Sequence, residues 1–368
     1  MRETDTIADA RRYMEICNGC RYCEGFCAVF PAMELRRDFT AADLGYLANL
    51  CHNCMGCFYA CQYAPPHEFG VNVPRAFSLV RAESYAEYAW PAPLARAFAR
   101  NGVVVSLVTA AAIALVLIGV TALQTPEALY AAHPVRPGAF YSVVPLWIMQ
   151  VMGIATFGFA LAALAMGGIA FWRDAGPRAR PDAGSFLRAV WDVLSLRNLG
   201  GGGHGCNDRD ERFSMTRRWL HHAMFYGFML CFAATSTGFV YHTFFGWAAP
   251  YALTSAPVLL GTVGGVLLVV GTVGLFAMKL TGDPAPAARR LLGADVALLM
   301  LLALTALTGL VLLALRGTGA MGLALAVHLG FVLALFALLP FSKMVHGVYR
   351  SLALLRNAVE RRAVPESL

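Results

Sequence analysis

Two runs of the chain, CNGCRYCEGFC from Cys17 to Cys27 and CHNCMGCFYAC from Cys51 to Cys61, repeat one cysteine spacing, C-x2-C-x2-C-x3-C. A [4Fe-4S] cube takes one thiolate per iron; three closely spaced cysteines wrap three corners, and in two-cluster ferredoxins the fourth serves the other cluster. The spacing therefore predicts two [4Fe-4S] clusters with exchanged fourth ligands. One set is Cys17, Cys20, Cys23 and Cys61; the other is Cys51, Cys54, Cys57 and Cys27. Structural zinc prefers two separated CxxC knuckles and has little use for a third cysteine three residues on. Proline stands four residues past each last cysteine, at Pro31 and Pro65, and not directly after it as in the bacterial ferredoxin run.

The elements that must position these cysteines change character along the chain. Of 368 residues, 58% are hydrophobic and only 14% charged, too apolar for an ordinary water-soluble domain. The first sixteen residues hold no apolar run, so no cleavable signal is expected and the N-terminus belongs in the cytosol. In that reducing compartment clustered cysteines serve as metal ligands before they serve as disulfides. Between the motifs, TAADLGYLANL offers a Thr cap at Thr40 and apolar residues at helical intervals. A helical two-cluster ferredoxin head over residues 1–100 follows, and the fold class expected for the whole is all-α.

Residues 101–368 read as a membrane domain. Six apolar stretches have the length a bilayer core requires: Val103 to Leu123, Val144 to Trp172, Trp219 to Phe245, Pro257 to Lys279, Leu292 to Leu315 and Met321 to Leu339. Arginine and lysine fall on one side. Arg96 and Arg100 precede the first span, nine arginines lie from Arg173 to Arg218, Lys279, Arg289 and Arg290 follow the fourth, and Lys343, Arg350, Arg356, Arg361 and Arg362 follow the sixth. The opposite loops hold only Arg136 and Arg316, which places both termini in the cytosol. The formal charge of +7 is thus explained by topology, without nucleic acid as a partner. Within the long third loop, FLRAVWDVLSLRNL is patterned to lie as a helix on the membrane surface.

Asp295 is the one carboxylate near the spans, which leaves histidine as their chemistry. His221, His222 and His242 belong to the third span, and His328 and His346 to the sixth. The eighteen residues from His328 to His346 make five helical turns, so both project from one face about 27 Å apart along the axis. His221 and His242 are separated by twenty-one residues, six turns at the 3.5-residue period of a left-handed bundle. His221 or His222 then lies level with His346 near the cytosol, and His242 level with His328 near the far side. Two bis-histidine sites of this kind suit one or two b-type haems. Interfacial histidines also serve as headgroup anchors or helix caps. Cys231 reads as a packing residue, and GGGGHGC, with His204 and Cys206, as a flexible loop lacking the Lys-Ser/Thr end of a phosphate-binding loop.

CNGCRYCEGFCAVFPAMELRR, CHNCMGCFYAC and RRWLHHAMFYGFMLCFAATSTGFVYH resemble the tricarballylate utilisation protein B family, also called citrate utilisation protein B, over nearly the whole chain. The resemblance implies an iron-sulfur and haem electron carrier in the bacterial cytoplasmic membrane. It would reoxidise the reduced flavin of a partner FAD-dependent tricarballylate dehydrogenase and pass electrons to the quinone pool. The membrane part is similar in arrangement to the gamma subunit of respiratory nitrate reductases, where two b haems stack between two helices. Clusters and haems carry single electrons whereas flavin and quinone exchange two, so such a chain of sites joins them. The sequence has no dinucleotide fingerprint and no catalytic constellation for an organic acid, so substrate oxidation falls to another polypeptide. A tricarboxylate transporter with a redox-sensing head is the alternative; it calls for intramembrane cations or broken helices around a cavity, which the spans do not convincingly supply.

Overall fold

Thr4, Thr40 and Asn72 each start a helix of the head by accepting a hydrogen bond from a first-turn amide, those of Ile7, Asp43 and Arg75. Such caps satisfy amides that have no partner within the helix. The computed structural model describes residues 1–176 and 180–363. Residues 177–179, inside the arginine-bearing 173–218 stretch, and residues 364–368 lie outside the described residues. The head comprises α1 (Asp5–Cys20), α2 (Val29–Glu34), α3 (Ala41–Leu50), α4 (Gly56–Tyr59) and α5 (Val73–Glu87). The first motif runs from the last turn of α1, which holds Cys17 and Cys20, into the following loop, and the second spans the loop after α3 and the short α4, which holds Cys57. Arg21, Asn53 and Met55 adopt left-handed φ there, so the chain doubles back beside its cysteines.

The remainder is α6 (Asn101–Leu123), α7 (Pro126–Tyr130), α8 (Leu146–Ala175), α9 (Ala183–Leu194), α10 (Thr216–Phe245), α11 (Ala256–Thr281), α12 (Leu292–Leu315), α13 (Met321–Leu338) and α14 (His346–Ala363). The fold is a helical head followed by a six-helix bundle, and no strand occurs among the described residues. α6, α8, α10, α11, α12 and α13 are long and apolar enough to cross a membrane, and they coincide with the six predicted spans. Their outward faces carry exposed Leu107, Leu115, Ile118 and Ile154, a surface suited to acyl chains and not to water. α10 and α11 pack backbone to backbone: a Cβ on Gly227 would lie 2.5 Å from the Leu268 amide nitrogen, and one on Gly264 2.8 Å from that of Cys231. That contact commits one face of α10 to α11. A second face reaches α8, where Phe157 lies between Phe232 of α10 and Phe336 of α13 at ring distances of 5.3 and 5.2 Å.

The third-loop segment expected to be helical forms α9 over Ala183–Leu194. Asp182 and Ser185 form a capping box at its start, and Phe186, Leu187 and Trp191 stay exposed on its apolar side.

One expectation fails. His328 and His346 do not share a continuous helix: α13 ends at Leu338, a 3-10 turn covers Leu339–Phe341, Ser342 is extended, and α14 begins anew at His346. Pro340 has no amide to donate and its ring clashes with the carbonyl four residues back, which ends the helix. The five-turn spacing therefore does not describe these two histidines.

α14 is not apolar, and it packs into the head. Arg36 contacts Asp43 at 2.9 Å and Glu360 at 2.7 Å, while Arg356 contacts Asp43 at 2.9 Å and Glu360 at 2.8 Å. The Arg356 guanidinium also covers the Tyr46 ring at 4.0 Å. Around this network the head core of Met14, Phe30, Tyr46 and Phe77 runs on into Phe171 of α8 and Tyr349, Ala353 and Leu354 of α14. Since losing one partner of a buried ionic network costs about 3–5 kcal/mol, Arg356→Ala should loosen the head from the bundle. Limited proteolysis in detergent would show faster cleavage within the head, with membrane insertion unchanged.

Candidate functional site

The eight cysteines divide as their spacing predicts. A recess of about 280 Å³ is lined by Cys17, Cys20, Cys23 and Cys61. A second, of about 20 Å³, is lined by Cys27, Cys51, Cys54 and Cys57. Each group takes three cysteines from one motif and the last cysteine of the other, because α1 and α3 bring the two loops side by side. Each group offers four thiols, the donor set an iron-sulfur cube takes; the first recess has room beside them, and the second is closed down around its sulfurs. Among the described residues no three His, Cys, Asp or Glu side chains converge as a single ion would need. Burial pushes the Cys17 and Cys23 thiols up to about 12, with neighbouring cysteines adding to the shift, so metal binding there must displace protons.

The two sites differ in their surroundings. The first opens to the surface beside Tyr22, and Gln62 is its nearest polar neighbour, 3.9 Å from the Cys20 sulfur. At the second, the Asn53 amide donates to the Cys51 sulfur at 3.4 Å, and the Val29 and Phe30 amides, at the start of α2, donate to that of Cys27.

The glycine-rich loop corrects an expectation. Residues 200–206 do not form a free flexible loop; they lie against the second site. Asn207 donates to the Cys54 carbonyl at 2.8 Å, and Cys206 and Ser214 exchange backbone hydrogen bonds at 2.8 and 2.9 Å. Gly202, at φ 75°, passes so close that a Cβ would lie 2.6 Å from the Phe26 carbonyl oxygen. Cys206 is buried with its thiol directed to the Leu199 carbonyl at 3.1 Å, and the His204 ring packs on Phe213.

Residues 98–366 match the family described as Citrate utilization protein B, and residues 10–87 match the Citrate utilization protein B Fer4-like domain. The chain belongs to the citrate utilization protein B family. It is 46% identical over 360 residues to Citrate utilization protein B of Escherichia coli, covering 98% of this chain and 94% of that one. No solved structure matches it.

In this member of the citrate utilization protein B family, the histidines at the head end of the bundle meet. His221 of α10 faces His346 of α14 with ring centroids 6.3 Å apart. A metal between two imidazole nitrogens at ~2 Å each needs centroids roughly 6 Å apart, so the two rings stand at a separation that a shared metal could span. The His346 Nδ1 hydrogen-bonds the Lys343 carbonyl at 2.6 Å, which leaves its Nε2 available. His222 turns aside, with its Nε2 3.1 Å from the Ser195 carbonyl and its ring stacked on Tyr226.

At the far end, the His328 Nδ1 lies 3.1 Å from the Thr308 hydroxyl, and the His242 Nδ1 lies 3.4 Å from the Tyr141 hydroxyl. Both keep Nε2 available, but their rings are not in contact. Asp295 is paired with Lys279 at 2.6 Å and with Lys343, so the charge near the spans is matched at the head end.

Four residues that sequence reasoning passed over sit between the second site and the His221–His346 pair: His52, Arg81, Arg217 and Arg350. Arg217 is four residues before His221 and Arg350 four after His346, a one-turn helical spacing that would have found both.

If a side chain at position 202 costs about 1–3 kcal/mol, Gly202→Val should lift the loop and expose Cys206. Alkylation followed by mass spectrometry should show Cys206 labelled about tenfold faster than in the unaltered protein; an unchanged rate would mean that the loop is not held at Gly202.

Proposed function

We propose that the chain is a membrane electron carrier of citrate or tricarballylate utilisation, which reoxidises the reduced flavin of a partner FAD-dependent dehydrogenase and delivers the electrons to a membrane quinone. Family membership and the Fer4-like match support the iron-sulfur part of this reading. The observation that carries it is the division of eight cysteines into two four-thiol groups, the second of which is tied to the helix turns bearing His221 and His346 through the Arg217 and Arg350 contacts with its backbone. Iron-sulfur clusters and b-type haem, when bound, take up and release one electron at a time.

Cys17, Cys20, Cys23 and Cys61 would hold the cluster nearer the partner, since their recess reaches the surface. Cys27, Cys51, Cys54 and Cys57 would hold the cluster nearer the spans. His221 and His346 would ligate a b-type haem at the head end, with the Lys343 carbonyl fixing the His346 tautomer. His242 and His328 are proposed for a second haem at the far end, oriented by Tyr141 and Thr308. The arginine-bearing ends of the spans lie on the side of the head, which supports a cytosolic head in a bacterial cytoplasmic membrane.

The reading is tested by iron, sulfide and haem assays on detergent-solubilised protein, with a reduced-minus-oxidised absorption spectrum. Cys20→Ser should lose about half of the cluster signal and block quinone reduction by the flavoprotein while the spans still insert. His346→Ala should remove one haem signal and His328→Ala the other. Absence of haem bands from fully haem-supplied preparations would remove the membrane half of the mechanism, and identical partial losses in both variants would reduce two haem sites to one.

A further inference from the structure

Three guanidinium groups converge on the backbone of the second cysteine motif. Arg81 donates to the Ala48 and Cys51 carbonyls at 2.9 and 2.7 Å. Arg350 donates to the Asn49 and Cys51 carbonyls at 3.3 and 2.9 Å, and Arg217 to the Asn53 and His52 carbonyls at 2.5 and 3.3 Å. Arg81 is only 7% exposed. Among the described residues neither Arg81 nor Arg350 has a carboxylate within 4.0 Å, and Arg217 has only Asp208, at 3.6 Å. Carbonyl dipoles solvate a buried cation but do not neutralise it, and uncompensated buried charge is costly. A negative group must therefore belong beside them. Four thiolates outweigh the charge of an iron-sulfur core, so a loaded second site is anionic and becomes more so on reduction.

Among the described residues the first motif has one guanidinium on its backbone, that of the exposed Arg21, which donates to the Asn18 carbonyl at 3.2 Å. The recess of the first site is lined, besides the cysteines, by aliphatic and aromatic side chains and Gln62, with no cation. Amide donors add to the contrast, since backbone N–H groups reach the Cys51 and Cys27 sulfurs of the second site. Positive charge and N–H donors favour the reduced, more negative state of a cluster, and burial opposes it. With three arginines against one enclosure, the balance tips toward easier reduction.

We propose that Arg81, Arg217 and Arg350 are the counter-charge of the cluster held at the second cysteine site, and that they make it the exit site, more easily reduced than the first. The inference rests on the iron-sulfur reading above and adds a direction to it. One electron leaves the first site as one arrives at the second; no bond forms or breaks and no proton moves. From there the arginines continue the path physically. Arg217 and Arg350 stand one helical turn from His221 and His346, so the groups that hold the second motif also fix its distance from the histidine pair.

The test is a redox titration of the full-length protein in detergent, followed by electron paramagnetic resonance, with Cys20→Ser identifying the first-site signal. In the unaltered protein the signal that survives Cys20→Ser should titrate at the higher potential. Arg350→Gln should lower the midpoint of that signal alone, and Arg350→Lys, which keeps the charge, should restore most of it. A second-site midpoint below that of the first, or Arg350→Gln shifting both signals equally or neither, overturns the proposal. The ordering in the unaltered protein decides the matter even if Arg350→Gln does not fold. Protein with neither iron nor sulfide would sink the iron-sulfur reading and this inference together, whereas two intact clusters with the wrong order would sink the inference alone.

Discussion

Two arginines and two carboxylates, Arg36, Asp43, Arg356 and Glu360, fasten the head to α14 with contacts of 2.7 to 2.9 Å. The arginine side chains are no more than 10% exposed. Shared partners make this network stronger than isolated surface pairs, which contribute about 0–1 kcal/mol each. Its consequence is positional. α14 carries His346 at its first residue and Arg350 one turn on, so the ionic contact that seats α14 in the head also sets where these two side chains stand. The other half of the pair is placed by different means: α10 is held against α11 by backbone contact at Gly227 and Gly264. Polar fixation on the head side and close apolar packing within the bundle thus meet at His221 and His346.

The second cysteine site is enclosed from three directions. α3 and α5 of the head lie on one side, the Arg217 and Arg350 guanidinium groups come from α10 and α14, and the loop 200–206 closes the rest. Burial of this kind removes water from the backbone carbonyls of the motif, which must find donors. Arg81, Arg217 and Arg350 supply them, and a guanidinium suits the task because its five donors diverge in a plane and can reach two carbonyls at once. Lysine would carry the same charge without that reach. Burial of the His346 ring, with Arg350 beside it, also disfavours its charged form and keeps a neutral imidazole available.

Much of this was legible in the sequence because each signal was local or periodic. The cysteine spacing gave the two four-thiol groups and their exchange, the Thr40 cap gave α3, and apolar run length gave the six spans. The histidine pair at the head end followed from span order and depth. Its exact partner did not: His221 and His222 are adjacent, and what separates them is tertiary, the Ser195 carbonyl accepting from the His222 Nε2 at 3.1 Å while His221 faces His346. The glycine run was misread because glycine marks both mobile chain and close backbone approach, and nothing local distinguishes them. Gly202 is needed for approach to Phe26, a residue nearly two hundred positions away. The arginines were counted for topology alone, a correct use that concealed a second one.

The failed expectation about His328 and His346 carries a structural reason of its own. A helix continuous from Met321 would have taken His346 straight out of the bundle along the line of α13, with the apolar pattern of a span giving way to charge in mid-helix. Pro340 and the extended Ser342 let the chain change direction where the apolar pattern ends. α13 can then stay apolar apart from His328, while α14 turns its polar residues into the head and its first residue toward α10. Ser342 caps the new turn by accepting from the Met344 amide, and the Lys343 carbonyl accepts from both the backbone amide and the ring Nδ1 of His346. By setting Lys343 in the short 3-10 turn just before α14, the break gives the helix its new direction and places a carbonyl where the His346 ring can donate to it.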